Sequence, residues 1–320
     1  MTRIVKCVVA TSLVLGVPLA PAALAQEYPA KPIRIIVGPG PDILARIFGQ
    51  RLTDGWGQQT IIDPRPGAGG TISTELAAKA PSDGYTLLMA TSAYTINAVL
   101  QPGPYDLVRD FAPVVWCATA PFIVLVNPSL PVRSVKELIA LAKSRPGEIN
   151  YASTGNGTGA HLGGELFKSI AGINLVHVPY KGAGPAMVSV IAGEAQVYVQ
   201  IPPASLSQIQ AGKIRALAVA SPRRLRVLPD IPTMAEAGLP AYEQTAWNGL
   251  MAPAGTPRAI VLKLNAEILR ALKDPAILQR IADVGWEPAP DNSPEWFADY
   301  IKREIAKWAN LVKETGAKAD

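Results

Sequence analysis

Two blocks in which strands alternate with helices, followed by a tail of helices alone, constrain this chain more than any other feature of its sequence. Residues 33–37 form a short apolar run bounded by Pro32 and by Gly38-Pro39-Gly40-Pro41, the pattern of a buried parallel strand. Asp42 is placed to cap a helix whose Ile43, Leu44, Ile47, Phe48 and Leu52 share one face. Residues 60–63 and 85–91 read as further strands, separated by the loop 64–70 and a helix through Glu75 and Ala78. The second block opens with an apolar strand at 122–127 and a capping box at Ser134–Glu137 that starts a helix. Strands at 149–152, 175–178, 195–199 and 214–220 follow, with helices between them. Thr233 and Glu236 predict another short helix, and 243–252 reads as extended. Beyond Pro257 the pattern is wholly helical, over 260–272, 275–284 and 293–315.

A tail without strands has to cover a sheet already built, and the N-terminal sheet is its natural host. The fold class that follows is α/β, with two Rossmann-like domains. Domain 1 is discontinuous, residues 26–124 plus 247–320, and domain 2 spans 125–246. The chain crosses between them near 120–126 and again near 245–249, so that two extended segments form a hinge and the strand-end loops line the cleft.

The first residues predict export. Arg3 and Lys6 precede an apolar core at 8–19 and a small-residue site at Ala23-Leu24-Ala25, the arrangement of a secretory signal peptide over residues 1–25 with cleavage near Ala25. Cys7 would leave with it. The one remaining cysteine, Cys117, cannot close an internal disulfide and sits in an apolar run after Trp116, where it reads as a small buried hydrophobe. The net charge of +5 comes without a basic run or an aromatic-basic stripe, so nucleic acid is not expected as a partner.

Chemistry concentrates in one stretch, 149–167. A strand turns through Ser153, Thr154, Gly155, Asn156, Gly157, Thr158 and Gly159 into an apolar-periodic helix carrying His161. Glycine allows positive φ and close approach of backbone to a ligand, and a helix N-terminus favours an anion. The stretch reads as a carboxylate or phosphate cradle, or equally as a polar turn with an N-cap and no ligand. His161 could donate to a bound carboxylate or merely cap its own helix. Gly157 to Gly163 also matches a loose dinucleotide-type glycine pattern, but no acidic residue stands about 20 positions on to take a ribose hydroxyl. No nucleophile elbow and no H-E-x-x-H occurs, and the two histidines, His161 and His177, have no spacing that makes a metal site. Neither a catalytic set nor a cofactor is expected.

Motifs along nearly the whole exported chain carry a family resemblance. They include Tyr28-Pro-Ala-Lys-Pro-Ile-Arg, Arg65-Pro-Gly-Ala-Gly-Gly, Ala80-Pro-Ser-Asp-Gly-Tyr-Thr-Leu-Leu and Tyr105-Asp-Leu-Val-Arg-Asp-Phe-Ala-Pro-Val. His177-Val-Pro-Tyr-Lys-Gly, Ala211-Gly-Lys-Ile-Arg-Ala-Leu-Ala-Val and Ala252-Pro-Ala-Gly-Thr-Pro continue the series. In that order they resemble the substrate-binding proteins of tripartite tricarboxylate transporters, the Bug family of periplasmic receptors. The resemblance implies a two-lobed periplasmic-binding-protein (Venus flytrap) fold and no enzymatic activity. It also implies a monomer that captures a small carboxylate for membrane permease subunits. The ligand contacts it implies are Gly40 in the loop after the first strand, Ser92 and Ala93 at the end of the third, and the cradle residues Thr154, Gly155, Asn156, Thr158 and His161. Tyr180 and Gln200 complete the set. Backbone N–H groups of 155–159 and of 92–93 are expected to hold the carboxylate from opposite sides.

Two departures from the pattern stand out. Similar proteins carry a longer Pro/Gly-rich loop where this chain has only Gly38-Pro39-Gly40-Pro41, and they carry an aspartate where this chain has Gln200. A sensor subunit that presents its ligand to a membrane signalling partner would share every one of these residues. An exported α/β enzyme is the remaining alternative.

Overall fold

The computed structural model describes residues 28–38, 42–65 and 70–318. The signal-peptide segment and Gly40 lie outside them. Strands β1 (Ile33–Val37), β2 (Thr60–Pro64) and β3 (Thr86–Thr91) pair in parallel, with β1 in the middle. Their crossovers are α1 (Ile43–Trp56) and α2 (Thr71–Ala78). Antiparallel strands β4 (Phe111–Pro121) and β10 (Thr245–Pro253) extend the sheet, and β11 (Glu287–Pro288) closes its edge, giving the order β11-β4-β10-β3-β1-β2.

The helical tail does cover this sheet, on both faces. Helices α8 (Arg258–Ala271) and α9 (Pro275–Asp283) join α1 on one face, where Leu264, Ile268 and Ile281 pack with Phe48, Ile35 and Leu87. Helix α10 (Pro294–Thr315) lies on the other, setting Phe297 and Ile301 against Ile36, Leu88, Trp247 and Met251. Each such buried side chain contributes roughly 1.5–3 kcal/mol. Ser293 caps α10 by accepting from the Trp296 N–H at 3.2 Å.

The second sheet has the order β7-β6-β8-β5-β9. Its strands are β5 (Ile123–Val126), β6 (Asn150–Ser153), β7 (Val176–Pro179), β8 (Val197–Gln200) and β9 (Arg215–Val219). Helices α4 (Val135–Ser144), α5 (Gly159–Ala171), α6 (Ala183–Ala192) and α7 (Pro202–Gln210) pack around it. β6 runs parallel to β7 and β8, so their carboxyl ends share one edge. The cap expected at α4 forms, since the Glu137 N–H donates to Ser134 Oγ at 3.2 Å; the Glu137 carboxylate reaches back one residue further than a capping box requires and accepts from the Arg133 N–H.

Between the sheets the chain passes twice, and the two passages are bonded together. Phe122 separates β4 from β5; its N–H donates to Gln244 O at 3.0 Å, and its carbonyl accepts from the Ala220 N–H at 2.8 Å. The single strand expected at 122–127 is therefore the end of a longer extended segment that leaves one sheet and enters the other. A buried cluster of Ile96, Leu162, Trp308 and Leu311 also joins α3 (Ser92–Leu100), α5 and α10.

Three elements depart from the sequence reading. α3 follows β3 without a loop, where no helix was expected. β11 interrupts the tail that read as wholly helical. At 233–236 both capping-box hydrogen bonds form, at 3.1 and 2.8 Å, but the chain makes only turns there, because Gly238 takes φ 94° and Pro240 follows too soon for helix to propagate. No helix among the described residues is long and apolar enough to cross a membrane.

Candidate functional site

The carboxyl ends of parallel strands are where open α/β sheets leave room for ligands. In the first sheet, β3 runs directly into α3. Thr91 is the N-cap, with extended φ −130°, so Ser92 and Ala93 are the first two helical residues, both half-buried. First-turn N–H groups have no partner within their own helix. Beneath them Tyr94 is fully buried, its ring held between two glycines. A Cβ on Gly38 would come within 2.1 Å of the Tyr94 hydroxyl, and one on Gly70 within 2.2 Å of the ring. Ser73 Oγ lies 3.0 Å from the same hydroxyl. Burial pushes the Tyr94 phenol above its ordinary range. Tyr94 is thus a pillar under the edge rather than part of its surface.

In the second sheet, the loop 154–158 connects β6 to α5. Gly155 and Gly157 take φ 131° and 71°, conformations that side chains with a Cβ rarely adopt. Thr158 caps α5 by accepting from the His161 N–H at 3.3 Å, and its own hydroxyl donates to Gly155 O at 2.7 Å. The Gly155 N–H donates to Ser153 Oγ at 3.2 Å, and the Gly157 N–H to His161 Nδ1 at 3.0 Å. Two of the amides expected to hold an anion are therefore bonded inside the loop. The N–H groups of Gly159 and Ala160, in the first turn of α5, are the ones the helix itself cannot use.

Buried His161 accepts through Nδ1 from the residue that precedes the helix cap. Its ring lies flat on that of His177, with centroids 4.1 Å apart and planes inclined by 8°; His177 stacks in turn on Tyr151 at 4.8 Å. Ser153 Oγ stands 2.6 Å from His177 Nε2. Tyr180 is half-buried just after β7, its N–H bonded to Ser153 O at 3.1 Å, and the Gly182 N–H reaches Thr154 O at 3.2 Å. The loops after β6 and β7 are thus one bonded unit. Asn156, at the tip, is half-buried.

Gln200 is buried at the end of β8 with both ends of its amide engaged. Nε2 donates to Tyr198 Oη at 2.6 Å, and Oε1 accepts from the Ile201 N–H at 2.8 Å. Burial pushes the Tyr198 phenol up to about 12. The residues brought together at these edges carry donors and acceptors but no formal charge, so an anion here would be held by dipoles.

The glycines of α5 answer to the crossing rather than to a nucleotide. A Cβ on Gly159 would meet the Phe122 ring at 2.7 Å, one on Gly163 the Gln244 amide at 2.1 Å, and one on Gly164 the Tyr151 ring at 2.2 Å. Gln244 Nε2 donates to Gly159 O at 2.6 Å. Phe122 and Gln244 therefore anchor the cradle helix at the junction of the two sheets. Neither was singled out from the sequence, and no local pattern marks them. Cys117 is fully buried as expected, and burial raises its thiol to about 12. Among the described residues, no group of three His, Cys, Asp or Glu side chains could hold a metal ion.

Two α/β sheets joined by paired crossings, with polar strand ends gathered at the junction, define a two-lobed solute-binding architecture. The chain belongs to the tripartite tricarboxylate transporter receptor family, whose model matches residues 44–317. It is 38% identical over 320 residues to the protein BugT of Bordetella pertussis, covering 95% of this chain and 97% of that one. Among solved structures, Rpa4515 of R. palustris with adipate is 35% identical with a TM-score of 0.81, covering 92% of this chain and all (100%) of that one. MatC of Rhodopseudomonas palustris with bound malate is 30% identical with a TM-score of 0.76, covering 89% and 100%.

Proposed function

We propose that this protein is an exported, periplasmic receptor that captures a small carboxylate between its lobes and delivers it to the permease subunits of a tripartite transporter, without chemical conversion. The observation that carries the reading is the packing of α3 and α5 against each other near their N-terminal turns, at the junction of the lobes. Ile96 of α3 and Leu162 of α5 share a buried cluster there. First-turn amides and helix dipoles suit an anion at both. In this reading Ser92 and Ala93 act from one lobe. Gly159 and Ala160, with Thr154, Asn156, Thr158 and Tyr180 around them, act from the other. The lobes of this reading are residues 26–124 plus 247–320 and 125–246, with each boundary moved back by two residues, since β5 pairs from Ile123 in the second sheet and β10 from Thr245 in the first. Similarity to proteins solved with adipate and with malate supports a dicarboxylate as the first class to test.

Gln200 narrows the class. Its neutral amide is engaged with Tyr198 and Ile201 and offers no counter-charge to an amino group, so acids without a free amine are preferred. A thermal-shift panel of dicarboxylates, tricarboxylates and amino acids tests both statements. Adipate or malate at about 100 times its Kd should stabilise the protein by about 2.7 kcal/mol, with amino acids inert. Stabilisation by amino acids alone, or turnover of any acid by the purified protein, would overturn the reading.

A further inference from the structure

Resting on the carboxylate reading, we infer that His161 is a positioning residue that holds the anion cradle in its binding shape only while its imidazole is neutral, so that acid loosens ligand capture. The inference starts from the bond between the Gly157 N–H and His161 Nδ1, 3.0 Å long. An N–H can donate only to a ring nitrogen that carries a lone pair, which places the proton of neutral His161 on Nε2. Protonation puts a second hydrogen on Nδ1, and two N–H groups then point at each other. Gly157 sits at φ 71°, immediately before the cap residue of α5, so the bond to His161 is tied to the entry of the helix. Losing its acceptor releases the loop that leads into the first turn of α5, whose Gly159 and Ala160 amides are the ones proposed to hold the anion.

His177 reinforces the same preference. With the rings 4.1 Å apart and nearly parallel, two imidazolium ions would repel at close range. Its bond to Ser153 survives either charge state if Nε2 carries the proton. Ser153 Oγ then accepts from His177 and from the Gly155 N–H while donating to Gly155 O at 3.1 Å. His177 thus braces the first half of the cradle and His161 the second, and only the His161 bond requires an unprotonated nitrogen.

Other ionisable groups stand around the pair. Burial holds the phenols of Tyr151 on β6, Tyr198 on β8, Tyr94 on α3 and Tyr242 beside the crossing above their ordinary values. Glu165 on α5 accepts from Lys168 at 2.8 Å and from Tyr151 Oη at 2.6 Å. Glu304 on α10 lies 3.5 Å from Lys307. Tyr180 and Lys181 follow β7, and α6 brings no ionisable side chain. Histidine is the side chain whose charge ordinarily changes between about pH 5 and 8. An imidazolium could also attract the anion by charge alone, and the direction of the effect separates the two outcomes.

The test has two arms. In ligand-free protein, nuclear magnetic resonance follows the Gly157 amide and the His161 ring nitrogens from about pH 8 to about pH 5. The amide should shift with the His161 midpoint. A Gly157 signal that ignores a titrating His161, or a His161 that stays neutral throughout, would overturn the inference. In the second arm, calorimetry measures adipate affinity over the same range. Affinity should fall about tenfold or more on acidification, as expected for loss of one well-made hydrogen bond in the site. His161→Asn keeps a carbonyl acceptor for Gly157 without a titrating proton and should bind with a much flatter pH profile. An unchanged pH dependence in that variant, or tighter binding in acid, would refute the positioning role. If adipate does not bind at any pH, the carboxylate reading fails for that acid, while the amide titration still decides the inference.

Discussion

At the scale of single residues, the glycines separate into those read for the right reason and those read for the wrong one. Gly155 and Gly157 adopt positive φ, as a turn into a helix N-terminus suggests. Gly159 and Gly163 complete a loose dinucleotide-type pattern, yet their missing Cβ atoms make room for Phe122 and Gln244 from the crossing. Residue spacing records that a side chain must be absent, not what takes its place. The polar side chains show the same limit. Gln200 is visible as a departure from a family pattern, but its engagement with Tyr198 and the Ile201 N–H depends on where β8 ends. Cys117 gives a direct prediction. Its thiol is fully buried and pushed up to about 12, so a thiol reagent should label Cys117 at a negligible rate near neutral pH in native protein and fully in denaturant. Rapid labelling of the native state would show that β4 opens. Gln200→Asp should move ligand preference toward amine-bearing acids, measured by competition calorimetry, because a carboxylate there supplies the missing counter-charge; an unchanged preference would place Gln200 outside the site.

At the scale of elements, strands and helices with a clean hydrophobic period were legible, and those shaped by contact were not. β1, α1, α4, α8 and α10 carry their pattern in sequence, and α4 and α10 their caps as well; Asp42, expected to cap α1, makes no side-chain cap because its carboxylate is taken by Arg46 one turn on. α3 does not, because Ser92 to Leu100 continues an apolar strand with apolar helix and no turn residue marks the change. Helix forms there because Tyr94 and Ile96 find partners in Gly38, Gly70, Leu162 and Trp308. β10 shows tertiary control at one position. A Cβ on Gly249 would meet the Phe297 ring at 2.4 Å and the Val115 carbonyl at 2.8 Å, and the β10–β4 register shifts there. Gly249→Ala should therefore destabilise the fold by about 1–3 kcal/mol, read as a lower urea midpoint. Gly164→Ala should cost about as much, because the Tyr151 ring 2.2 Å away is itself stacked on His177 and has little room to yield. Wild-type midpoints in both variants would mean that these contacts relax freely.

At the scale of the whole molecule, the two sheets meet at paired crossings, where Phe122, Ala220 and Gln244 exchange backbone hydrogen bonds. A groove of ≈ 810 Å³ also runs between the sheets, with Leu206 and 223–227 on one side and Leu278, Ala282 and Trp286 on the other. Capture of a ligand at the strand-end junction should change the angle between the lobes, since a ligand shifts an equilibrium only by binding one state better. Solution scattering with saturating adipate should give a smaller radius of gyration than without it; identical profiles under verified binding would exclude closure. By itself the sequence determined the α/β class, the placement of the helical tail on the first sheet, the buried thiol and the family, because each rests on hydrophobic period or on a long ordered series of motifs. Only the tertiary structure decided which cradle amides are already bonded, that His161 and His177 stack, and that the glycines of α5 serve the crossing. Those facts depend on atoms brought together from β6, β7 and the two crossings at Phe122 and Gln244, and no local pattern encodes an approach between segments so far apart in the chain.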